Sequence, residues 1–507
     1  MLDDHPYNLT FEEGQTFAPK DKCQMYNISW PTECSGKTAF DDLKTCFDSK
    51  NLSSTSQIPC RNGYESVFQT TMFTSTVTTE WQLVCDNQWI DKYLTLCVMA
   101  GLLFGVFSFG PVIDRIGRRK TIMVTCFGLS VVQAPLIFIG ESAGVWTYAA
   151  CRFLSSFFVI AAATSGFIYT TEIVGRKYRT WFGLGNQLLR AVGYISLSVI
   201  GYVLHNWHHQ MVILTITPLI FCIAFYWILP TSNAWLFSTG RFDEGREGVR
   251  KMGKKYPDVN IDDGFIDELE YSVKEKMSGG GAASYTQLDL FKTPGIKRTT
   301  LIELVQWFST KMVYYGLSLG AGALGGNVLV TNLIYGMVDF VCYLVLPFII
   351  DSKKIGRRGG TMIMMTISAI GCVSTALFTY LMVGEELGDH GESKYYMLKK
   401  ISAFVAKFGI SGTFGLVYVY TGELYPTPIR GIAIGLCSAG GRIGGILSPL
   451  VNDTANYFPW MPYAIFGVMS IVQVVTVKLL PETLGNSMLT SIDEAEEFYK
   501  NAKNNKK

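Results

Sequence analysis

The stretch LTLCVMAGLLFGVFSFGPVI, residues 94–113, contains no Asp, Glu, Lys or Arg. A helix of roughly 20 residues crosses a hydrocarbon core of about 30 Å, so this stretch is long enough to span a membrane. Further runs without these charged residues cover 121–140, 153–171, 211–229 and 361–383. In lipid only a helix or a closed barrel satisfies its own backbone, and these runs lack the alternation of barrel strands. The sequence therefore predicts an all-α membrane protein.

The overall composition agrees with this class, because 49% of the 507 residues are apolar and only 17% are charged. Soluble domains carry about 25% charged residues. The formal net charge of +2 gives no reason to expect a nucleic-acid partner.

Enzyme motifs are weak in this chain. Gly36-Lys37-Thr38 is similar to the end of a phosphate-binding loop, but Pro31 stands where that motif needs its first glycine. The chain has five histidines, three of them in HNWHH (His205–His209), and it has neither an HExxH motif nor a CxxC pair. We expect no enzymatic activity, no metal site and no cofactor.

The positions of the basic residues predict the orientation in the membrane. Basic clusters follow several apolar runs: Arg115, Arg118, Arg119 and Lys120; Arg176, Lys177 and Arg179; Lys353, Lys354, Arg357 and Arg358. The positive-inside rule places these clusters, and the polar segment 237–299, in the cytoplasm. Residues 1–88 are then extracellular.

The polar head at 1–88 has the features of a secreted module. It contains five cysteines, Cys23, Cys34, Cys46, Cys60 and Cys85, and three glycosylation sequons, Asn8, Asn27 and Asn51. Clustered cysteines in an oxidising compartment predict disulfides, and because five is odd, one of them stays unpaired. The other seven cysteines lie in apolar runs and are predicted to be small hydrophobic residues.

Hydropathy predicts eleven membrane helices, five before the cytoplasmic segment and six after it. They are near 89–110, 121–141, 147–170, 183–204, 211–230, 300–321, 329–350, 361–384, 400–421, 431–451 and 461–480. The predicted domains are the extracellular head 1–88, a helical half 89–236, a cytoplasmic loop 237–299, a second helical half 300–485 and a cytoplasmic tail 486–507. Within the loop, Phe242 to Lys255 and Asp262 to Lys276 are predicted to be helical.

Two halves of the chain carry the same series of residues. Each copy has an acidic residue, a Gly-Arg-Arg triplet, a glutamate with an arginine seven residues later, and a proline 51 residues after that arginine. The copies are Asp114, Gly117, Arg118, Arg119, Glu172, Arg179 and Pro230, then Asp351, Gly356, Arg357, Arg358, Glu423, Arg430 and Pro481. Two parallel six-helix repeats describe the major facilitator fold, in which substrate binds near mid-membrane between the halves.

The five predicted helices of the first half and the six of the second make eleven, one fewer than this fold has. The first ten residues, MLDDHPYNLT, form neither a signal peptide nor a membrane span. We therefore expect a truncated or wrongly defined N-terminus, with a genuine short isoform as the alternative.

Several motifs resemble the organic cation, organic anion and carnitine transporter family of the major facilitator superfamily. GPVIDRIGRR (Gly110–Arg119) is similar to a loop motif of many facilitators. More specific are STVTTEWQLVCD (Ser75–Asp86), TEIVGRKYR (Thr171–Arg179), YYGLSL (Tyr314–Leu319), AKFGISGTFGLVYVYTGELYPTPIRG (Ala406–Gly431) and LPETLG (Leu480–Gly485). The resemblance runs from about residue 23 to residue 485. It implies a large glycosylated, cysteine-bearing loop after a first helix.

The chain departs from this family's pattern in three places. The family's PESPRWL reads PTSNAWL here (Pro230–Leu236), two extra residues separate Asp351 from Gly356, and Lys311 stands where a small residue is usual. These departures bear on transport more than on the fold.

Arg442, in CSAGGRIGGILSP (Cys437–Pro449), is the main candidate for binding substrate. A charge inside a bilayer costs roughly 2.5–3.5 kcal/mol on insertion scales, so it needs a reason. The resemblance implies that arginine here is typical of anion and carnitine carriers, and a guanidinium can hold a carboxylate through two parallel hydrogen bonds. The alternative is an interhelical ion pair with Asp339 or Glu423.

Six other residues are weaker candidates for the substrate site. They are Lys407, Lys311, Asp339, Tyr314, Tyr315 and Trp307, with Phe308 beside them. Lys407 is predicted to be an anion site or a coupling site, or else the structural partner of a carboxylate. Lys311 is predicted either to face the cavity or to extend along the helix to a membrane interface. Asp339 either meets a cation or balances Arg442. Tyr314 and Tyr315 either grip an ammonium group or belong to an aromatic belt.

The repeated charges at the cytoplasmic helix ends predict a gate. Its members are Asp114, Arg118, Arg119, Glu172, Arg179, Asp351, Arg357, Arg358, Glu423 and Arg430. Salt bridges among them would lock the outward-open state and break as the halves rock. A purely topological role explains the arginines but not the acidic residues. Arg152 is predicted to join this network.

The sequence thus predicts a polyspecific organic-ion transporter in the plasma membrane that works by alternating access. Arg442 favours organic anions or zwitterions such as carnitine as substrates, and organic cations are the alternative. A non-transporting paralogue is an alternative of another class. The expected partners are a small organic ion and membrane lipid, while the coupling ion and the oligomeric state are not indicated.

Overall fold

Eleven long helices are present in the described part of the chain, each at a predicted position. In this computed structural model the described residues are 24–26, 57–59, 75–140, 143–174, 179–255, 262–279, 286–383, 394–485, 489 and 491–504. The helices of the first half are α1 Gln88–Ile116, α2 Arg118–Gln133, α3 Val145–Ile173, α4 Arg179–Val203 and α5 Trp207–Ile228. Those of the second half are α6 Pro294–Leu319, α7 Val328–Ile350, α8 Gly356–Val383, α9 Tyr396–Leu424, α10 Thr427–Asp453 and α11 Met461–Val477. The prediction of an all-α membrane protein is confirmed.

Eight helices in the described residues are long and apolar enough to cross a membrane by length and composition alone. The others are α4, α6 and α11. Helix α4 carries Arg190, α6 carries Glu303 and Lys311, and α11 is an apolar helix of 17 residues. Large apolar side chains such as Phe138, Trp227 and Phe348 are exposed, as expected for a surface that lipid covers. The protein is a multi-pass integral membrane protein.

The chain separates into two compact units, residues 1–91 and residues 92–507. In the first unit, strand β1 (Gln24–Tyr26) pairs antiparallel with β2 (Gln57–Pro59), and Met25 lies opposite Ile58. The predicted glycosylation sites and disulfide cysteines lie outside the residues whose side chains are described. The seven cysteines of the long helices are free thiols.

The segment between the halves contains both predicted helices, now Phe242–Lys255 and Asp263–Gly279. They share a small core with Phe237, and Arg246 of the first helix pairs with Glu270 of the second at 2.5 Å. Hydrogen bonds from Lys274 and from Arg246 lower the pKa of the Glu270 carboxyl.

A further helix, Ile492–Asn504, follows the second half. Glu496 on this helix accepts hydrogen bonds from the backbone N–H groups at the start of α6.

Small residues allow helices of the second half to approach closely. A Cβ atom on Gly371 of α8 would lie 2.4 Å from the backbone nitrogen of Ala406 on α9. A Cβ atom on Gly409 of α9 would likewise meet the backbone of α8 at Ser368. Close backbone contact of this kind is typical of membrane helices, which have no hydrophobic driving force to bring them together.

Contacts between several pairs of helices join the halves in the described residues. Helix α4 packs against α7, where Ile195 fills the space beside Gly336 and Tyr194 donates a hydrogen bond to Asn332 at 3.1 Å. Helix α1 packs against α10, where the sulfur of Met99 lies beside Gly445. The middle of the molecule is therefore lined by helices of both halves.

Candidate functional site

Five ionisable side chains gather near the middle of helices from both halves. They are Arg190 on α4, Lys311 on α6, Asp339 on α7, Lys407 on α9 and Arg442 on α10. Each lies about 11 to 17 residues into its helix, which at 1.5 Å per residue is roughly 16 to 26 Å from the helix start. We call this group the central cluster. Four of its members are basic and one is acidic.

Asp339 is fully engaged by neighbouring side chains. Tyr314 donates a hydrogen bond to Asp339 Oδ2 at 2.6 Å, Ser411 donates to Oδ1, and Lys407 Nζ lies 3.6 Å from Oδ2. The side chain is 1% exposed. The structure therefore pairs Asp339 with Lys407 instead of with Arg442, and it leaves this carboxylate little capacity for a substrate cation.

Lys407 is held by the same neighbours. Its ammonium donates to Ser318 Oγ at 2.7 Å and lies 3.6 Å from the centroid of the Tyr314 ring. Of the two roles predicted for Lys407, the structure shows the contact with a carboxylate, Asp339. Removing one member of a buried ion pair leaves an uncompensated charge, so this pair is expected to matter for stability.

Arg442 has no carboxylate partner among the described residues. Its Nη1 atom lies 3.4 Å from Tyr315 Oη, its Nε has no hydrogen-bond partner there, and the residue is 6% exposed. The alternative prediction, an ion pair with Asp339 or Glu423, is not what the structure shows. Both of those carboxylates pair elsewhere, with Lys407 and Arg357 respectively.

Lys311 is completely buried, and aromatic rings surround its ammonium group. Nζ lies 3.2 Å from the centroid of Phe414, 4.8 Å from that of Tyr418 and 5.4 Å from that of Trp307. It also donates a hydrogen bond to Tyr418 Oη at 3.2 Å. The alternative prediction that Lys311 snorkels to an interface is therefore wrong, because the side chain is 0% exposed at the centre of the bundle.

Trp307 and the two tyrosines line the same region without being equivalent. Trp307 is 0% exposed, and its Nε1 donates to Thr421 Oγ1 at 2.9 Å. Tyr314 is buried between Asp339 and Lys407, whereas Tyr315 is partly exposed and turns its hydroxyl towards Arg442. Tyr315 is therefore the better placed of the two to share a ligand with Arg442.

Arg190 belongs to the cluster, although the motif analysis did not select it. Its guanidinium donates to Tyr343 Oη at 2.5 Å and lies 4.1 Å from the centroid of Phe414 and 4.9 Å from that of Tyr314. It is the contribution of the first half to the cluster. A single arginine inside the otherwise uncharged stretch Trp181–Val203 was the sequence signal that could have identified it.

A second buried carboxylate, Glu303 on α6, was also not selected. Thr421 donates to Glu303 Oε2 at 2.7 Å, and Glu303 Oε1 has no hydrogen-bond partner among the described residues. Its contacts therefore connect α6 with α9 two turns from Lys311.

One further pattern in α6 matches a hydrolase motif by spacing alone. Gly316-Leu317-Ser318-Leu319-Gly320 reads G-x-S-x-G. A nucleophile elbow requires a turn between a strand and a helix, but Ser318 lies inside continuous helix, where it donates to Tyr314 O and accepts from Lys407. The chemistry of this serine is that of a hydrogen-bonding helix residue.

The predicted gate residues form two equivalent networks, one in each half. In the first, Arg118 contacts Asp114 at 3.1 Å and Glu172 at 2.8 Å. In the second, Arg357 contacts Asp351 at 2.6 Å and Glu423 at 3.2 Å. Each network joins three helices of its own half, and the gating role remains a prediction.

Three of the four remaining gate candidates bind backbone carbonyl groups. Arg119 donates to Tyr226 O at 2.6 Å, Arg358 to Lys478 O at 2.9 Å and Arg430 to Tyr425 O at 3.2 Å. Arg119 and Arg358 are equivalent residues of the two halves, and their carbonyl partners lie four residues before Pro230 and three residues before Pro481. Arg179 begins α4, and its side chain is outside the described residues.

The prediction for Arg152 is wrong. Arg152 lies over the Tyr148 ring at 5.9 Å, near the start of α3, whereas Glu172 lies at the other end of the same helix. Twenty residues of helix separate them by about 30 Å. Arg152 is therefore on the predicted extracellular side and does not join the cytoplasmic network.

Comparison with known proteins gives a consistent result. Residues 60–495 match the family model described as "Sugar (and other) transporter". The chain is 31% identical over 448 residues to the human organic cation/carnitine transporter 2, covering 88% of this chain and 75% of that protein. It is 30% identical over 441 residues to human solute carrier family 22 member 16, with coverages of 87% and 72%. The organic cation transporter protein of Drosophila melanogaster is 28% identical over 519 residues, with coverages of 98% and 84%.

Solved structures support the fold. The proton:xylose symporter XylE bound to 6-bromo-6-deoxy-D-glucose superposes with a TM-score of 0.62 at 18% identity, covering 83% of this chain and 92% of that one. The inward-open conformation of the xylose transporter from E. coli gives 0.61 at 17% identity, covering 83% and 93%. The predicted major facilitator fold is therefore confirmed.

Proposed function

We propose, from the premise that the chain belongs to the sugar (and other) transporter family and to its organic cation/carnitine transporters, that it carries organic anions or zwitterions by alternating access. The substrate would bind in the central cluster through its carboxylate, and the membrane would be the plasma membrane. The observation that carries this proposal is the buried guanidinium of Arg442, which has no carboxylate partner among the described residues.

The physical argument starts from the cost of burying charge. A buried ion without a partner costs several kcal/mol, and this cost falls when an opposite charge enters with good hydrogen-bond geometry. Arg442 has free donors beside a partly exposed Tyr315. A carboxylate could accept two parallel hydrogen bonds from the guanidinium and one from the tyrosine hydroxyl.

The balance of charge in the central cluster points the same way. Its four basic residues share one carboxylate, and that carboxylate is already used by Lys407. Aromatic rings contact Lys311 and Arg190, and neither residue forms an ion pair with a carboxylate in the described part of the chain. An anionic substrate would lower the electrostatic energy of this site, whereas an added cation would raise it.

Alternating access is supported by where the cluster lies. Arg190 comes from the first half and the other members from the second, so relative movement of the halves would rearrange the site. Substrate sites of major facilitators lie between their halves at mid-membrane. The residues proposed to contact the substrate are Arg442 of the cluster and the neighbouring Tyr315, and Lys311 would act on the substrate without touching its carboxylate.

Organic cations are the second candidate, because the relatives include organic cation transporters and the cluster is rich in aromatic rings. The contacts of Asp339 weaken this candidate, since its two oxygens accept from Tyr314 and Ser411 and face Lys407. The rings nearest the centre already hold the protein's own cations.

Uptake by cells that express the full chain tests the proposal. The labelled substrates are an aryl carboxylate, carnitine and tetraethylammonium, and the variants are Arg442→Ala and Arg442→Lys. We expect carboxylate uptake by the normal chain and a loss of about tenfold or more in Arg442→Ala, because a hydrogen-bonded charge contributes about 1.5–3 kcal/mol. Arg442→Lys should retain part of the activity, since it keeps the charge and loses the planar geometry.

Arg246→Ala is a matched control, because it removes an arginine that lies in the predicted cytoplasmic segment. It should leave the substrate preference unchanged.

Uptake of tetraethylammonium alone, insensitive to Arg442→Ala, would show that the transporter carries cations. Absence of uptake for all three compounds at normal surface expression would favour a non-transporting paralogue.

A further inference from the structure

The environment of Lys311 has the composition of an ammonium-binding cage. The rings of Trp307, Phe414 and Tyr418 approach its Nζ atom, with the Phe414 centroid at 3.2 Å. We call these three rings the Lys311 cage. Rings within about 6 Å of a cation attract it through their negative faces, and such cages also bind quaternary ammonium groups.

No carboxylate in the described residues forms an ion pair with Lys311, and the only polar side chain it binds there is the Tyr418 hydroxyl at 3.2 Å. Asp339 contacts Lys407 instead, and Glu303 accepts from Thr421. Three rings and one hydroxyl therefore surround the amino group of Lys311.

The Lys311 cage lies directly beside the proposed carboxylate site. A Cβ atom on Gly441 would lie 2.9 Å from Lys311 Cγ, so the stem of the lysine packs against the turn of α10 that carries Arg442. On the other side, Arg190 lies 4.1 Å from the centroid of the same Phe414 ring. A molecule whose carboxylate bound Arg442 would meet the cage with its next few atoms.

We infer that Lys311 is a specificity-determining residue, whose tethered amino group fills the aromatic cage and excludes the ammonium groups of substrates. This inference rests on the proposed function, because it assumes that Arg442 binds a carboxylate nearby. It narrows the substrate class: plain organic anions are preferred over betaines, whose quaternary nitrogen would have to enter an occupied cage. Replacing Lys311 with a neutral residue frees three rings that suit a small quaternary ammonium.

A purely structural role makes a different prediction. If the contact of Lys311 with Phe414 only held α6 against α9, its loss would reduce stability and expression without creating any new specificity. Gain of ammonium transport is therefore the outcome that separates the two roles.

The experiment measures uptake of tetramethylammonium and of an aryl carboxylate by cells that express the full chain. Lys311→Ser removes the charge and most of the stem, Lys311→Met removes the charge and keeps the stem against Gly441, and Lys311→Arg keeps the charge. We expect the ratio of tetramethylammonium to carboxylate uptake to rise about tenfold or more in Lys311→Ser, as expected from a desolvated contact between a cation and aromatic rings. The rise should be smaller in Lys311→Met, whose stem still occupies part of the cage. The ratio in Lys311→Arg should stay at the normal value.

A ratio of tetramethylammonium to carboxylate uptake that stays normal in both neutral variants, with both proteins at the cell surface, would overturn the inference.

Binding of tetramethylammonium to purified protein, measured by thermal stabilisation, gives a readout that does not depend on transport. Lys311→Ser should be stabilised, the normal chain should not, and adding Phe414→Leu should remove the gain. If the normal chain moves no carboxylate, the proposed function fails, while binding to purified Lys311→Ser still decides whether the cage exists.

Discussion

At the scale of single residues, the five charges of the central cluster differ in how they are compensated. Asp339 and Lys407 satisfy each other, whereas Arg442 faces only the hydroxyl of Tyr315 among the described residues. Lys311 and Arg190 are compensated by rings. A residue with a matched partner is expected to maintain the structure, and a residue without one is available to a ligand.

The contact between Asp339 and Lys407 gives a prediction about stability. Asp339→Asn and Lys407→Met each leave a buried charge without its partner, so each should lower the free energy of unfolding by about 3–5 kcal/mol. The double variant removes both charges and should recover part of this loss. Melting of the purified protein in detergent checks it, and additive losses in the double variant would contradict the pairing.

Sequence reasoning found Arg442, Asp339, Lys407 and Lys311 because a charge in an apolar run is conspicuous. It could not identify their partners, since the partner of a buried side chain depends on the rotation of each helix about its own axis. Two alternatives were left open for Asp339, and the structure shows a third, the pair with Lys407. Arg190 was not among the predicted site residues, because it belongs to none of the repeated motifs and only its charge within an apolar stretch marks it.

At the scale of helices, the two halves repeat the same contacts with one difference. Tyr169 donates to Pro230 O at 2.8 Å, and Tyr420 donates to Pro481 O at 2.5 Å. Ser232 binds Glu172, just as Thr483 binds Glu423. The difference is at the residue after the proline, which is Thr231 in the first half and Glu482 in the second.

Glu482 caps helix α8, and this gives a prediction with an internal control. Its carboxylate accepts hydrogen bonds from the backbone N–H groups of Arg357 at 2.8 Å and Arg358 at 3.0 Å, whereas no side chain caps the start of α2 at Gly117. Glu482→Ala should therefore reduce stability by about 0.5–2 kcal/mol or more. Thr231→Ala, at the matching position of the first half, should change the melting temperature much less. Equal losses from both variants would show that the cap contributes nothing.

The helices themselves were predictable, because apolar length and flanking charge determine them. The repeat spacing also predicted that Arg118 and Arg357 would occupy equivalent places. The loss of the family's glutamate in PTSNAWL was visible in the sequence, but its consequence, an uncapped α2, needed the backbone geometry.

At the scale of the whole molecule, the two ends of the bundle are connected differently. The arginine networks at the predicted cytoplasmic end join helices within one half, around Arg118 and around Arg357. At the predicted extracellular end, Lys92 of α1 pairs with Asp453 of α10 at 3.0 Å, which joins the two halves. This ion pair is predicted to favour closure of that end.

Breaking this contact should favour opening towards the outside. Both side chains are about one third exposed, and exposed pairs contribute about 0.2–1 kcal/mol, so the shift in population should be about 1.4- to fivefold. The measurement is the rate at which a membrane-impermeant maleimide labels Met99→Cys, a position on α1 that packs against α10. Lys92→Ala should accelerate labelling, and exchanging the two residues (Lys92→Asp with Asp453→Lys) should restore the slow rate. An unchanged rate in Lys92→Ala would exclude this role.

The arrangement of the halves was only partly predictable. The duplicated motifs indicated two equivalent bundles, but which charges cross between them could not be read from spacing, because the motif residues turned out to bind within each half. Lys92 and Asp453 carry no motif at all. Contacts between halves depend on how the bundles face each other, which a local pattern does not encode.

The central claim is that the guanidinium of Arg442 binds the carboxylate of the substrate. The most direct measurement is the binding of an aryl carboxylate and of its uncharged carboxamide analogue to the purified normal chain and to Arg442→Ala. We predict that the substitution weakens carboxylate binding about tenfold or more and leaves carboxamide binding nearly unchanged, because only the charged ligand makes the paired hydrogen bonds. Equal weakening of both ligands, or of neither, would contradict the claim.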